Sequence, residues 1–251
     1  MFISELTAEP IWQAVDFISD LHLQVSELAT FDVWQRYMQT TPADAVFILG
    51  DLFEVWVGDD VLQERGFDDR CAQVIQQTAA RMPIFFMHGN RDFLVGHGLM
   101  AACNTTLLSD PTVLSFNDQR WLLSHGDALC LDDTAYMAFR QQVRSAGWQQ
   151  MFLAKPLAER QAIARDLRQQ SEARKQTGAR YAAVDAQAVR QMLLQANATT
   201  LIHGHTHKPA THDLGNGLQR VVLNDWDALA SPPRADVLRL SNTGLQRIAL
   251  L

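Results

Sequence analysis

The chain has 251 residues, 47% of them hydrophobic, and a formal net charge of −7. That length and composition predict one α/β domain, or a domain carrying an insertion, and the acidic balance argues against a general nucleic-acid binder. No apolar run reaches 18 residues, and no basic region precedes an apolar run at the N-terminus, so neither a membrane span nor a signal peptide is expected.

In chain order, five short apolar runs each stop at a polar cluster. Residues 15–19 (VDFIS) run into Asp20-Leu21-His22, and residues 45–49 (AVFIL) into Gly50-Asp51. Residues 84–87 (IFFM) run into His88-Gly89-Asn90, 120–124 (RWLLS) into His125-Gly126-Asp127, and 199–202 (TTLI) into His203-Gly204-His205. Each reads as a β-strand ended by glycine and polar residues. Helical patterns fall between them at 30–41, 62–81, 134–146, 157–176 and 184–196, and the tail reads as strands over 219–223 and 236–250 around the turn signals SPPR and SNTG. Strands alternating with helices predict an α/β fold with buried strands.

Charge and cysteine usage add two expectations. Residues 140–180 hold nine Lys/Arg and three Asp/Glu, a net +6 in an otherwise acidic chain. Such asymmetry points to an anionic partner, against the plainer possibility of a solvated helical face. Cys71, Cys103 and Cys130 are scattered and form no CxxC pair, which fits a reducing cytoplasm.

In open α/β sheets ligands bind at the carboxyl ends of strands. Here five strand ends deliver Asp20, His22, Asp51, Asn90, His125, His205 and His207. Asp20/His22 and His205/His207 are spaced i, i+2, so each pair points one way from an extended chain. Hard oxygen with imidazole and no thiolate suits Mn²⁺, Fe²⁺ or Zn²⁺. Seven donors exceed one ion with an open position and suit two ions sharing a carboxylate. His97 and His212 stand alone and are expected to be structural or exposed. His88 and His203 precede motif glycines, where packing or hydrogen bonding to a ligand is expected. Asp127 is a candidate for orienting a neighbouring loop.

The ordered set DLH…GDLFE…GNRD…HGD…GHTH, residues 20 to 207, resembles the calcineurin-like metallophosphoesterases. The resemblance implies a four-layer α-β-β-α sandwich, here one domain over 1–251. It implies Asp51 as the shared ligand, with Asp20, His22, Asp51 and His207 on one ion and Asp51, Asn90, His125 and His205 on the other. A hydroxide activated by the two ions then attacks phosphorus in line. Catalytic roles fall to Asp51, Asn90, Arg91 and His125.

Most of that family has histidine after the motif asparagine, where it protonates or steadies the leaving group. This chain has Arg91, which holds phosphate oxygens with a planar fork and gives up no proton near neutral pH. A diphosphate fits, because its leaving phosphate departs as a stable anion. FISDLHL, ILGDLFEVWVGDD, HGNRDFLVG, SHGDALCLDD and IHGHTHKPA resemble the lipid A branch of the family. Its members use Mn²⁺ to split the pyrophosphate of a UDP-linked diacylglucosamine into UMP and the diacylglucosamine 1-phosphate, attacking the phosphorus nearer the uridine.

A diacylated substrate calls for apolar surface beside cations. Residues 148–157 (WQQMFLAKPL) and the stripe of Ile163 and Leu167, flanked by Arg160, Arg165 and Arg168, predict a basic amphipathic helical lid inserted over about 134–182. The competing possibility is a stripe that simply packs on the core. The resemblance carries substrate contacts onto Asn90, Arg91, Asp133, Ser171 and His205, with Lys175 and Arg180 as candidate cations. It also implies peripheral contact with the cytoplasmic side of the bacterial inner membrane, with no obligatory protein partner and no nucleic acid. About a dozen residues (MFISELTAEPIW) precede the first motif strand, where that branch begins abruptly; no role is expected for them beyond a mis-set start or flexible tail. Two rival functions are a phosphoesterase acting on another phosphodiester or pyrophosphate, and a binding scaffold without turnover.

Overall fold

The structure is a computed structural model and describes residues 3–176 and 183–251, with only the backbone described over 170–176. One sheet of six strands holds β2 (Ala14–Ile18), β3 (Ala45–Leu49), β4 (Ile84–Met87) and β5 (Thr106–Leu108), extended by β11 (Asp236–Ser241) and β12 (Gly244–Ala249). The order is β12-β11-β2-β3-β4-β5, and β2 to β5 are parallel. The second sheet holds β1 (Ser4–Thr7), β6 (Thr112–Phe116), β7 (Gln119–Ser124), β8 (Thr200–His203), β9 (Ala210–Gly215) and β10 (Leu218–Val222), in the order β1-β6-β7-β8-β10-β9.

The two sheets pack face to face. Along β2 and β3 the alternate residues Val15, Phe17, Phe47 and Leu49 turn inward, meeting Leu114, Leu123 and Ile202 of the other sheet. The opposite positions, Ile18, Val46 and Ile48, pack against α1 (Leu28–Thr40), α2 (Phe67–Ala79) and α3 (His97–Cys103). Val113, Leu122 and Leu201 meet α7 (Ala186–Gln195) on the far side. Period-2 strands buried on both faces give the expected α-β-β-α layering. Between β7 and β8 lie α4 (Thr134–Val143), α5 (Ala146–Leu153) and α6 (Leu157–Gln176).

Several elements differ from expectation. The opening residues, described from Ile3 on, are ordered: β1 pairs in parallel with β6, covering that strand's edge, and Trp12 is buried with its ring edge against Phe85. The single helix expected over 62–81 is a 3-10 turn, Asp59–Glu64, followed by α2; Arg65 at φ 49° and Gly66 break the run. The helix expected over 134–146 ends at Val143, and Ser145 caps a new one by accepting from Trp148 N.

Where the side chains of the basic segment are described, five of its cations lie against carboxylates of the chain itself. Arg140 and Arg144 pair with Asp127, Lys155 with Glu159, Arg160 with Asp60 and Arg168 with Glu54. Arg160 is 2% exposed, its guanidinium spent on Asp60 and the Val57 carbonyl. A buried cation needs such partners, so Arg140, Arg144, Arg160 and Arg168 serve to dock helices. Arg165 is exposed. The apolar stripe divides: Leu157 and Ile163 pack on the core, whereas Leu167 is 40% exposed.

Candidate metal centre and active site

All five polar strand ends meet at one edge of the sandwich, because β2, β3 and β4 run parallel in one sheet and β7 and β8 in the other. Main-chain bonds weld the loops together. Asp20 N donates to Gly50 O (3.1 Å), His22 N to Asp51 O (3.0 Å) and Gly204 N to His125 O (3.0 Å). Across the sheets, His205 N donates to Asp20 Oδ2 at 2.8 Å.

Asp20, His22, Asp51, His205 and His207 have φ of 56°, 49°, 53°, 66° and 52°, in the left-handed region that non-glycine residues rarely adopt. Five of seven candidate ligands holding this conformation is backbone strain concentrated at one place, as functional sites show. Two glycines permit the loops to meet. A Cβ on Gly89 would strike the Asp51 carboxylate, and one on Gly204 would strike Ser19 and Asp20.

The donors divide into two groups. Asp20, His22 and His207 bring their atoms within 4.8 Å of one another, as do Asp51, His125 and His205. In the first, His22 Nε2 faces His207 Nε2 at 3.3 Å, and His207 Nε2 lies 3.2 Å from Asp20 Oδ1. That carboxylate oxygen is buried and accepts no hydrogen bond, while its partner Oδ2 is held by Ser19 Oγ at 2.6 Å. In the second, Asn90 Oδ1 lies 3.1 Å from His125 Nε2 and 2.8 Å from His205 Nδ1, and Asp51 Oδ2 is 3.7 Å from His125 Nε2. Lone pairs converging around an unsatisfied buried oxygen fit a pair of divalent cations. Asp51 belongs to the second group by distance.

The electrostatics agree. Burial opposes charge on His125, but Asp51, Asp20 and Asp127 outweigh it and push the imidazole up to about 9. Burial, with the neighbouring His125, pushes His205 down to about 4. Burial also opposes ionisation of Asp20, yet the surrounding histidines hold its carboxyl well below the usual range. The carboxylates draw positive charge to His125, which a bound cation would supply instead, while His205 is kept neutral and able to ligate.

Supporting side chains orient the ligands. His125 Nδ1 lies 2.9 Å from Leu49 O, fixing its tautomer so that Nε2 faces the site. Asp92, fully buried, accepts from Gly89 N and Leu52 N, both at 2.8 Å, and so joins the GNRD loop to the GD loop. Asp127 accepts from Tyr136 Oη at 2.6 Å and from Arg140 Nε at 2.8 Å, tying the HGD loop to α4. His88 contacts Val95 O, and His203, pushed down to about 3 by burial, packs beneath the GHTH turn against Gly204 O and Arg220. His97 is exposed and His212 half-buried.

Arg91 donates its backbone N–H to Asp51 Oδ1 at 2.8 Å, and its Nη1 lies 3.4 Å from Glu54 Oε1. Asp133 caps α4 by accepting from Tyr136 N at 3.0 Å. Ser171 and Lys175 fall where only the backbone of α6 is described, and Arg180 lies outside the described residues. Three contributors escaped the motif reading. Glu54 sits inside GDLFE and contacts His22; Tyr136 stacks on His205 with centroids 6.1 Å apart; Asp225, gripped by Arg234, lies 3.7 Å from His207 Nδ1. Only Glu54 had a visible signal, its place in a quoted motif.

The calcineurin-like phosphoesterase family model matches residues 14–209. A solved archaeal phosphodiesterase superposes with a TM-score of 0.50 at 10% identity, covering 94% of this chain and 99% of its own. Fold and motifs therefore define the class: the chain is a calcineurin-like phosphoesterase. Over 244 residues it is 45% identical to the UDP-2,3-diacylglucosamine hydrolase of Chromobacterium violaceum, covering 94% of this chain and 99% of that one. It is 40% identical over 247 residues to that of Bordetella pertussis, covering 94% and 93%. Within the class, the chain belongs to the family of the UDP-2,3-diacylglucosamine hydrolases.

Proposed function

We propose that this chain hydrolyses the pyrophosphate bond of UDP-2,3-diacylglucosamine, giving UMP and 2,3-diacylglucosamine 1-phosphate, a step of lipid A biosynthesis. The observation that carries the reading is the complete ligand set with Arg91 beside it, in a chain matching such hydrolases along their whole length.

Asp20, His22, Asp51 and His207 would hold one ion and Asp51, Asn90, His125 and His205 the other; the donor set suits Mn²⁺, Fe²⁺ or Zn²⁺, and the resemblance to the lipid A branch favours Mn²⁺. Such ions supply Lewis-acid activation of water and neutralise charge on phosphoryl oxygens. The chain's own residues do the rest. Arg91 presents a guanidinium fork to the diphosphate and orients the phosphorus nearer the uridine. Water adds across the P–O–P bridge, and the sugar phosphate leaves as an anion that needs no proton. Arginine therefore suffices where an imidazole would otherwise be expected. Asn90, a neutral donor, avoids a further negative charge where an anionic substrate binds.

Helices α4 to α6 would form the lid over the acyl chains. Phe139, Met151, Leu153 and Leu167 are 40%, 68%, 42% and 40% exposed on these helices, which supports contact with acyl chains and a membrane surface. No described helix is long and apolar enough to cross a membrane, so attachment would be peripheral, on the cytoplasmic side of the inner membrane. Asp133, Ser171, Lys175, Arg180 and His205 remain the proposed further substrate contacts.

The test is release of UMP from UDP-2,3-diacylglucosamine by purified protein with Mn²⁺, beside a generic aryl phosphodiester. The lipid diphosphate is expected to be the preferred substrate by kcat/KM. Equal or better turnover of the aryl diester would overturn the substrate assignment in favour of a generic phosphoesterase. Asp51→Ala should lower turnover by more than the roughly 10–100-fold that loss of a ligand's outer partner alone costs. Near-normal rate with normal metal content would remove the shared-ligand role.

A further inference from the structure

Glu54 joins three parts of the site that the motifs present separately. Its backbone is fixed between two strand ends: Glu54 N donates to Leu23 O at 3.1 Å, and two residues on Trp56 N donates to Arg91 O at 3.1 Å. Leu23 and Phe53 form a parallel bridge beside it. The side chain, 10% exposed, points between these loops. Oε2 lies 3.2 Å from His22 Nδ1, Oε1 lies 3.4 Å from Arg91 Nη1, and the Arg168 guanidinium of α6 reaches the same Oε1. One carboxylate thus faces a candidate metal ligand on one oxygen and two cations on the other.

We infer that Glu54 is a positioning residue, setting the His22 imidazole and the Arg91 guanidinium at a fixed separation and tying α6 to both. An imidazole has two ring nitrogens, and only the one without hydrogen can ligate a cation. The negative Glu54 carboxylate, 3.2 Å from Nδ1 but not aligned for a hydrogen bond with it, favours the proton there and leaves the Nε2 lone pair facing His207 and Asp20. A carboxylate is the strongest such partner. Its second oxygen attracts Arg91, whose main chain already binds Asp51, so the phosphate fork is registered against the metal centre on both sides. Nearby acids do not duplicate the arrangement: Asp92 is committed to Gly89 N and Leu52 N, and Asp225 serves His207 and Arg234. The inference deepens the proposed pyrophosphohydrolase function and rests on it.

Glu54→Gln keeps the shape and removes the charge, and Glu54→Asp keeps the charge and shortens the reach. Three quantities are read on the full-length protein: melting of the EDTA-stripped form, Mn²⁺ affinity by calorimetry, and KM against kcat at saturating Mn²⁺. Glu54→Gln is expected to melt within a few degrees of wild type. It is expected to bind one of its two Mn²⁺ about 10–100-fold more weakly, the usual cost of losing a ligand's outer partner. With Mn²⁺ saturating, KM for the lipid diphosphate should rise by a larger factor than kcat falls, and Glu54→Asp should recover part of both effects. Wild-type Mn²⁺ affinities and unchanged KM in Glu54→Gln would overturn the inference, as would a loss of melting temperature with both left intact. A wild type that binds two Mn²⁺ yet leaves the lipid diphosphate uncleaved overturns the proposed substrate instead, while the Mn²⁺ titration still judges the His22 half of the inference.

Discussion

In the proposed reaction, Arg91 separates two chemistries that share one metal-binding pattern. Its backbone donates to Asp51 and its Nη1 lies 3.4 Å from Glu54 Oε1, so the carboxylate draws the guanidinium toward the site before any phosphate arrives. A hydrogen bond to a charged group contributes about 1.5–3 kcal/mol, which corresponds to roughly 10–150-fold. Arg91→Ala should therefore raise KM for a diphosphate by about that factor. Arg91→His should bring no gain, since the leaving phosphate needs no proton; steady-state kinetics on UDP-2,3-diacylglucosamine checks both. Gly204 acts by absence: with Ser19 and Asp20 where a Cβ would stand, Gly204→Ala must push the strand ends of the two sheets apart. Overpacking of this kind costs about 1–3 kcal/mol, so calorimetry should find Tm lower by roughly 2–10 °C in a chain of this size, with weaker metal binding.

At the scale of elements, α6 is held down by a buried arginine. Arg160 meets Asp60 and the Val57 carbonyl at the 3-10 turn, and Lys155 O accepts from its Nε at 3.0 Å. Replacing it by methionine keeps the aliphatic bulk but orphans the Val57 carbonyl, so α6 should open more readily. Hydrogen exchange is expected to speed up along α6 and not along β3. The same pair has a pH signature. Its hydrogen bond to Arg160 holds the Asp60 carboxyl below its usual value, with burial opposing. An acid whose folded pKa is depressed adds stability above its unfolded value of about 4, and that stability is lost as pH falls through the folded value. Melting temperature should therefore decline below pH 4, and less steeply in Asp60→Asn than in wild type.

The whole molecule is two sheets that meet at a charged edge. Asp20, Asp51 and His125 are all at most 2% exposed there, and such groups resist leaving water without a partner of opposite charge. Cation binding should consequently stabilise the entire sandwich. Mn²⁺ at a thousandfold excess over Kd adds about 4 kcal/mol, or on the order of 10 °C in Tm for a chain of this size. EDTA should abolish activity and reverse the shift, followed by differential scanning calorimetry; a melting curve indifferent to both would count against the metal centre.

The seven candidate ligands, Arg91 and the strands that carry them were legible in the chain itself. Their signals are local: an apolar run, a glycine, then donors at fixed spacing. Tertiary structure alone decided what depends on pairing across distance. It placed Ser4–Thr7 as a strand beside β6, because an edge strand is recruited by a partner about a hundred residues away. Arg140, Arg144, Arg160 and Arg168, which along the chain are a basic segment, became docking bonds to Asp127, Asp60 and Glu54. Tyr136 and Asp225 joined the site with no local signature at all. Linear sequence records which donors exist and how neighbours are spaced, but whether a charge faces water or another charge is settled only when distant segments pack, because desolvation is a property of the folded surroundings.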